Sequence, residues 1–187
     1  MAGKYRFLRL RLPFSMEKLV KRVMVLSFIF FLIWIIPNIG KILFAMLLIG
    51  LSILVGLYRR VLPFYLGIEL ITFTTVVTCY LVSPVVAWIS CLIILSAQAI
   101  MTGHITIHYF IKVGTYTVVV LFCALAPGMD IALAGRIMTV FINIAYFASN
   151  IAMGDAQGLM DTPGNVVNIF INFWIFSKTS WILELIM

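Results

Sequence analysis

Residues able to do chemistry are scarce in this 187-residue chain, and most of them fall inside long apolar stretches. Glu69 is one of only six acidic residues, and the sequence predicts that it lies about a turn and a half into an apolar helix. A carboxylate in such a place needs a partner or must stay protonated. His104, His108 and Lys112 recur at helical spacing on a later segment and are its candidate partners.

Polar residues recur at helical spacing in five consecutive apolar segments. One interpretation is a polar cavity between helices that binds a small ligand, and the other is interhelical hydrogen bonding that only holds the helices together. The candidate ligand-binding residues under the first interpretation are Glu69, Gln98, His104, His108, Lys112, Asn143, Asn150, Asn168 and Asn172.

Metal and cofactor chemistry has little support in the sequence. His104 and His108 have a spacing that can chelate a metal, but no HExxH motif or second carboxylate motif accompanies them. Cys79, Cys91 and Cys123 lie in apolar stretches without a CxxC pattern, so we predict that they are small core residues. We predict no metal and no cofactor.

No motif of a known enzyme class occurs in the chain. The sequence lacks the GxSxG pattern, the phosphate-binding loop and the dinucleotide-binding glycine pattern. We therefore predict that the protein is not an enzyme.

The composition predicts the elements that must position these residues. The chain is 64% hydrophobic and 10% charged, whereas soluble domains are roughly 45–50% apolar and about 25% charged. We predict an all-α, polytopic integral membrane bundle of six to seven transmembrane helices. The predicted helical segments are 16–36, 41–58, 64–82, 84–102, 105–125, 130–153 and a last one from 165, with a break at 37–40 and a long polar loop at 154–164.

The N-terminal segment 1–15 is basic, and the transmembrane domain is predicted to cover 16–187. We interpret the basic charges as a cytoplasmic flank that meets anionic lipid headgroups, and not as a nucleic-acid site. They are Lys4, Arg6, Arg9, Arg11, Lys18, Lys21 and Arg22.

The orientation of the later loops depends on the first segment, 16–36, which is purely apolar only over residues 23–36. The positive-inside rule is balanced between the two orientations, so it does not decide whether this segment spans the membrane. We expect that it spans and that the N-terminus is cytoplasmic.

Small residues spaced four apart predict close helix contacts, within the chain or with a partner subunit. The pairs are Ser52 with Gly56, Ala145 with Ser149, and Ala148 with Ala152.

Residues 66–75 (LGIELITFTT), followed by 83–87 (SPVVA) and 111–116 (IKVGTY), have a familiar arrangement. Over 41–187 the chain resembles the substrate-binding S components of energy-coupling-factor vitamin transporters and the related rod-shape protein MreD. The resemblance implies a core of about six short helices in the cell membrane.

Two functions follow as hypotheses. The first is a non-enzymatic module that, like an S component, binds a vitamin or another small solute for uptake. The alternative is a structural or accessory subunit of a larger membrane complex, like MreD, whose partners are other membrane subunits and the lipid bilayer.

Overall fold

A computed structural model of the protein describes residues 14–57, 67–103, 106–160 and 162–186. These residues form α-helices and contain no β-strand, so the predicted all-α class is confirmed for them. The helices are α1 Phe14–Gly56, α2 Ile71–Leu81, α3 Pro84–Thr102, α4 Ile107–Leu125, α5 Ile131–Met153, α6 Ala156–Met160 and α7 Thr162–Ile186.

Helix α1 continues through residues 37–40, where the sequence predicted a break, so that prediction was wrong. A proline removes one backbone hydrogen bond, and helices in apolar surroundings often accommodate it. The chain does divide at this point into two compact units, Met1–Ile39 and Gly40–Met187.

In the unit Met1–Ile39, residues 23–29 of the helix carry apolar side chains on all sides, whereas Lys21 and Arg22 just before them are charged and exposed. Val23, Met24, Leu26, Phe28 and Ile29 are all exposed. A helix that lies on a membrane surface has one apolar and one polar face, and this stretch does not show that pattern.

Four helical stretches in the described part of the chain have the length and composition to cross a bilayer. They are Asn38–Gly56, Pro84–Thr102, Ile107–Leu125 and Ile131–Met153. Helix α2 is apolar but has 11 residues, which is about 16 Å at 1.5 Å per residue and so half of a hydrocarbon core. The described part of the chain is therefore helical and rich in long apolar helices, and the number of six to seven transmembrane helices stays a prediction.

In the unit Gly40–Met187, helix α2 lies at the centre and contacts α3, α4, α5 and α7. All of its residues except Tyr80 are buried. The core that α2 forms with its neighbours includes Val76, Ile94, Tyr116 and Ile142, each fully buried. A helix enclosed in this way must find partners inside the bundle for its polar side chains.

Two predicted helix starts are confirmed by side-chain caps. Ser83 Oγ accepts a hydrogen bond from the backbone N–H of Val86 at 3.2 Å, and Pro84 occupies the first turn of α3. Asp130 Oδ1 accepts one from Leu133 N–H at 2.7 Å at the start of α5. The local sequence therefore defines where α3 and α5 begin.

Two other boundaries differ from the prediction. In the segment predicted at 64–82, residues 67–70 are irregular and α2 begins at Ile71, while residues 64–66 lie outside the described residues. Within the predicted polar loop 154–164, residues 156–160 form α6, and α7 already begins at Thr162. The backbone N–H of Leu159 bonds the carbonyl of Asp155 at 3.0 Å, so the chain turns helical again directly after α5.

Candidate binding site at the start of helix α2

The irregular segment 67–70 is held against helix α7. Gly67 has a φ of +75°, a left-handed conformation that favours glycine. A Cβ atom at this position would overlap the carbonyl of Gly164 and the backbone nitrogen of Asn168. The absence of a side chain therefore lets the chain cross α7 closely just before α2 begins.

Glu69 lies in this irregular segment, two residues before α2, and not inside a helix as predicted. It is 7% exposed. Its backbone carbonyl accepts a hydrogen bond from Asn172 Nδ2 of α7 at 3.3 Å. This contact fixes the segment on α7 and leaves the carboxylate to meet helix α4.

The carboxylate of Glu69 forms an ion pair with Lys112 of α4, with 3.6 Å between Oε1 and Nζ. Lys112 was one of the three partners expected from the sequence, and the structure confirms it. The ammonium group also lies 5.4 Å from the ring centre of Tyr146 on α5, within the range of a cation–π contact. Opposite charges attract each other more strongly where water is largely excluded, as it is at Glu69.

Three predicted asparagines continue the polar region between α5 and α7. Asn172 Nδ2 donates to the side-chain and backbone oxygens of Asn168, at 2.6 and 3.0 Å. Asn168 Nδ2 donates to Asn143 Oδ1 at 3.4 Å, and Asn143 Nδ2 donates to the carbonyl of Thr139 at 2.8 Å. The structure therefore brings together Glu69, Lys112, Asn143, Asn168 and Asn172.

One acceptor in this group is not satisfied by the described residues. Asn172 is fully buried, and none of the residues that the structure describes donates a hydrogen bond to its Oδ1 atom. A buried polar atom without a partner is costly and is uncommon in folded proteins. This oxygen is therefore a place where a bound donor would be stabilised.

His108 and Asn150 belong to a second, more exposed polar cluster. His108 Nε2 lies 3.1 Å from Asp155 Oδ2, and the two side chains are 39% and 28% exposed. Gly158 of α6 packs against the side chains of Asn150 and Asp155. His108 was a candidate partner of Glu69, and that prediction was wrong, because Asp155 between α5 and α6 is its partner.

Gln98 takes part in a helix contact, away from Glu69. Its Nε2 atom donates to the carbonyl of Ser52 at 3.2 Å, and Gly56 leaves the space that the Gln98 side chain fills. Ser52 Oγ also bonds Thr74 Oγ1 at 2.6 Å. The small residues Ser52 and Gly56 thus lie at a contact within the chain.

The remaining predicted positions lie apart from the site. Ala148 and Ala152 are exposed on α5, and His104 lies outside the described residues. The three cysteines are buried and free, in agreement with the predicted core role. No group of three or more His, Cys, Asp or Glu side chains in the described ranges is placed to hold a metal ion.

Two tyrosines of the site were not among the predicted candidates. Tyr116 is fully buried on α4, and its hydroxyl lies 3.0 Å from Thr72 Oγ1 at the start of α2. Tyr146 lies under the Lys112 ammonium. A tyrosine in an otherwise apolar helix needs a hydrogen-bond partner for its hydroxyl, and this was the available signal for Tyr116.

A cavity of about 150 Å³ lies between α5 and α7. Asn143 and Asn165 contribute to its wall together with Ile144 and Phe147. Pockets for drug-sized ligands are larger, at about 300–1,000 Å³. The size of this cavity suits only a small molecule.

Comparison of the chain with family models, with curated proteins and with solved structures gives no match.

Proposed function

We propose that the chain is a multi-pass integral membrane protein of the cell membrane that binds a small polar solute inside its helix bundle. The four long apolar helices support membrane insertion. The basic N-terminal segment supports a cytoplasmic N-terminus. In this proposal the protein works without catalysis, as the S components of uptake transporters do.

The observation that carries the proposal is the ion pair between Glu69 and Lys112 inside the bundle. Charged groups away from water are costly, so membrane proteins retain them mainly where they bind, transport or relay something. This pair is continuous with Asn172 and Asn168 through the backbone of Glu69. A solute between these helices would meet the charged groups of Glu69 and Lys112 and the asparagine amides of α5 and α7.

The irregular segment 67–70 directly before α2 is a second supporting observation. Irregular backbone inside a helical membrane protein is tolerated where it is buried in protein or lines a cavity, and transporters place their binding sites at such breaks. Residues 67–70 are irregular, and α2 begins only at Ile71. The irregular segment 67–70 therefore brings its own backbone and the side chain of Glu69 to the polar region between the helices.

The test is ligand binding by the purified chain. Protein solubilised in mild detergent is analysed by native mass spectrometry, and small molecules released on denaturation are identified. We expect a bound solute in the wild type and its loss in Glu69→Ala and Asn168→Ala proteins that still elute as folded monodisperse species. Asn150→Ala is the matched control, since Asn150 is also a buried asparagine but belongs to the His108 cluster, and it should retain the solute. Wild-type protein without a solute, or binding unchanged in the first two variants, contradicts the proposal.

A structural subunit of a larger membrane complex is the second candidate function, and one observation favours it. Ala148 and Ala152, one turn apart on α5, are both exposed and so are available to another helix. In this case the asparagine bonds serve only to hold α5 and α7 together.

The second candidate predicts stoichiometric partner chains. Gentle solubilisation followed by mass spectrometry should recover them with the wild type and lose them with Ala148→Leu, whereas Ala124→Leu on the exposed surface of α4 should retain them. A lone chain in each sample would exclude this function.

A further inference from the structure

Helix α5 carries a positive charge close to one end of the bundle. The ends of α2 and α4 meet at this end, where the hydroxyl of Tyr80 donates to the carbonyl of Ala126 at 2.9 Å, and α5 begins a few residues further along the chain. Arg136 is the sixth residue of α5, so its Cα lies about 7–8 Å along the helix. Leu133 and Ile137, which share one face of α5, are both exposed beside it.

Close packing of α5 on α7 fixes the position of Arg136. A Cβ atom at Gly135 would overlap the ring of Phe176, which is fully buried. The next residues along the two helices, Arg136 and Ser177, lie 2.9 Å apart between Nη2 and Oγ. The Ser177 hydroxyl donates its own proton to the carbonyl of Phe173 at 2.7 Å. Its oxygen therefore accepts from the guanidinium and orients it.

The described residues do not neutralise the charge of Arg136. A guanidinium has five N–H donors, and in the described ranges Ser177 Oγ is the acceptor that it contacts. Its Nε atom is buried without a hydrogen-bond partner among these residues. Lys178, the next residue on α7, is exposed and adds a second positive charge. The ion pairs within the described ranges involve other residues, so both charges are available to an anion.

The depth of Arg136 suits the phosphate of a lipid. The 23 residues of α5 measure about 34 Å, so a helix centred in a hydrocarbon core of about 30 Å places the Cα of Arg136 about 5 Å below the core's surface. The Cα–Cβ bonds of a helix tilt toward its N-terminus, which directs this side chain toward the nearer headgroups. Trp88, early in α3 at the same end, is 40% exposed, as is typical of tryptophans at a membrane interface.

We propose that Arg136 and Lys178 bind the phosphate of an anionic phospholipid beside α5 and α7. This inference rests on the membrane insertion of the proposed function and does not depend on its solute. The guanidinium donates paired hydrogen bonds to phosphate oxygens, and the ammonium adds a point charge. Ser177 is a positioning residue, and the exposed side chains of Leu133 and Ile137 contact the acyl chains. A zwitterionic lipid binds less tightly, because its own cation is repelled by the two basic residues.

The test is native mass spectrometry of the full-length protein in detergent, titrated with phosphatidylglycerol or with phosphatidylcholine. We expect the first phosphatidylglycerol to bind the wild type about tenfold more tightly than the first phosphatidylcholine. Arg136→Gln should abolish this preference, because it removes charged hydrogen bonds to the phosphate. Arg136→Lys should retain part of it. Lys178→Gln should weaken phosphatidylglycerol binding about fivefold.

Lys21→Gln is the charge-matched control. It removes one of the basic charges near the N-terminus and leaves α5 and α7 unchanged, so it should keep the preference for phosphatidylglycerol. Melting temperatures in the two lipids separate lipid binding from a merely structural role. If Arg136 only joins α5 to α7, Arg136→Gln lowers the melting temperature equally in both lipids and keeps the ratio of the two Kd values, and the inference is overturned.

Equal affinity of the wild type for the two lipids also overturns the inference. Lys178→Gln takes the place of Arg136→Gln if the latter does not fold, since Lys178 is exposed, and an unchanged preference then has the same consequence. Displacement of phosphatidylglycerol by an equimolar amount of inorganic phosphate would assign the site to a soluble phosphate and exclude the lipid. Cysteines beyond both ends of α5 that label from opposite sides of a vesicle, without any lipid preference, would overturn this inference alone and leave membrane insertion intact.

Discussion

The side chain of Asn172 donates a hydrogen bond to the backbone carbonyl of Glu69, although 103 positions separate the two residues in the chain. This bond joins α7 to the irregular segment before α2 and orients the Glu69 carboxylate toward Lys112. The stability of the polar region therefore depends on a residue whose own side chain carries no charge.

Replacement of Asn172 by leucine should destabilise the protein. The substitution removes the donor to Asn168 and to the Glu69 carbonyl, and it leaves those oxygens buried without that partner. We expect a loss of about 1–3 kcal/mol in the free energy of unfolding, measured by denaturant titration in detergent. Lys178→Ala, on an exposed part of α7, should change it by less than about 0.5 kcal/mol. Equal effects of the two substitutions would show that the Asn172 contacts are unimportant.

Replacement of Gly67 by alanine should disrupt the start of α2. The left-handed backbone conformation costs a non-glycine residue about 1–2 kcal/mol, and the added Cβ would also overlap the backbone of Gly164. We expect a strong loss of monodisperse protein and a lower melting temperature in fluorescence-detected chromatography.

Gly114→Ala is the control for Gly67→Ala. Gly114 lies on helix α4 with open space around its Cβ position, and alanine favours a helix over glycine by about 1 kcal/mol. This variant should be as stable as the wild type or more stable. A Gly67→Ala protein that behaves in the same way would refute the close crossing of α7.

Substitutions of the ion pair should have unequal effects. Lys112→Met removes a cation that lies beside the almost fully buried Glu69 carboxylate, and we expect a loss of about 3 kcal/mol in the free energy of unfolding. Glu69→Gln removes the carboxylate beside a lysine that is 24% exposed, and we expect a loss of about 1 kcal/mol. A double-mutant cycle based on unfolding free energies measures both effects and their coupling. Equal single losses with additive behaviour would contradict the asymmetry between the two residues.

Cysteines introduced beyond the two ends of α5 should be labelled from opposite sides of a membrane. The helix has 23 residues, or about 34 Å, and the exposed residues Gly128 and Met160 lie beyond its opposite ends. Single cysteines introduced at these positions should react with an impermeant maleimide from opposite sides of sealed vesicles.

The wild-type chain serves as the control for that labelling. Cys79, Cys91 and Cys123 are buried, so the wild type should react only after denaturation. Labelling of both introduced cysteines from the same side would exclude a membrane-spanning α5.

Local features of the chain were predictable from the sequence because they depend on neighbouring residues. The apolar composition indicated a helical bundle, and the predicted starts of α3 and α5 lie where the side chains of Ser83 and Asp130 cap free N–H groups. Lys112 was one of three candidate partners of Glu69, because a buried carboxylate requires a counter-charge. These inferences needed residue types and spacing alone.

The sequence by itself determined the all-helical class, most helix ends and the group of polar residues from which the site is built. Only the tertiary structure decided that α1 continues through residues 37–40, that Glu69 precedes α2, and that His108 pairs with Asp155 while Lys112 pairs with Glu69. The physical reason is that helical spacing fixes which side chains share a face of one helix, whereas the partner of a buried polar group depends on how distant segments pack. The contact of Gly67 with α7 and the bond from Asn172 to Glu69 are of this second kind.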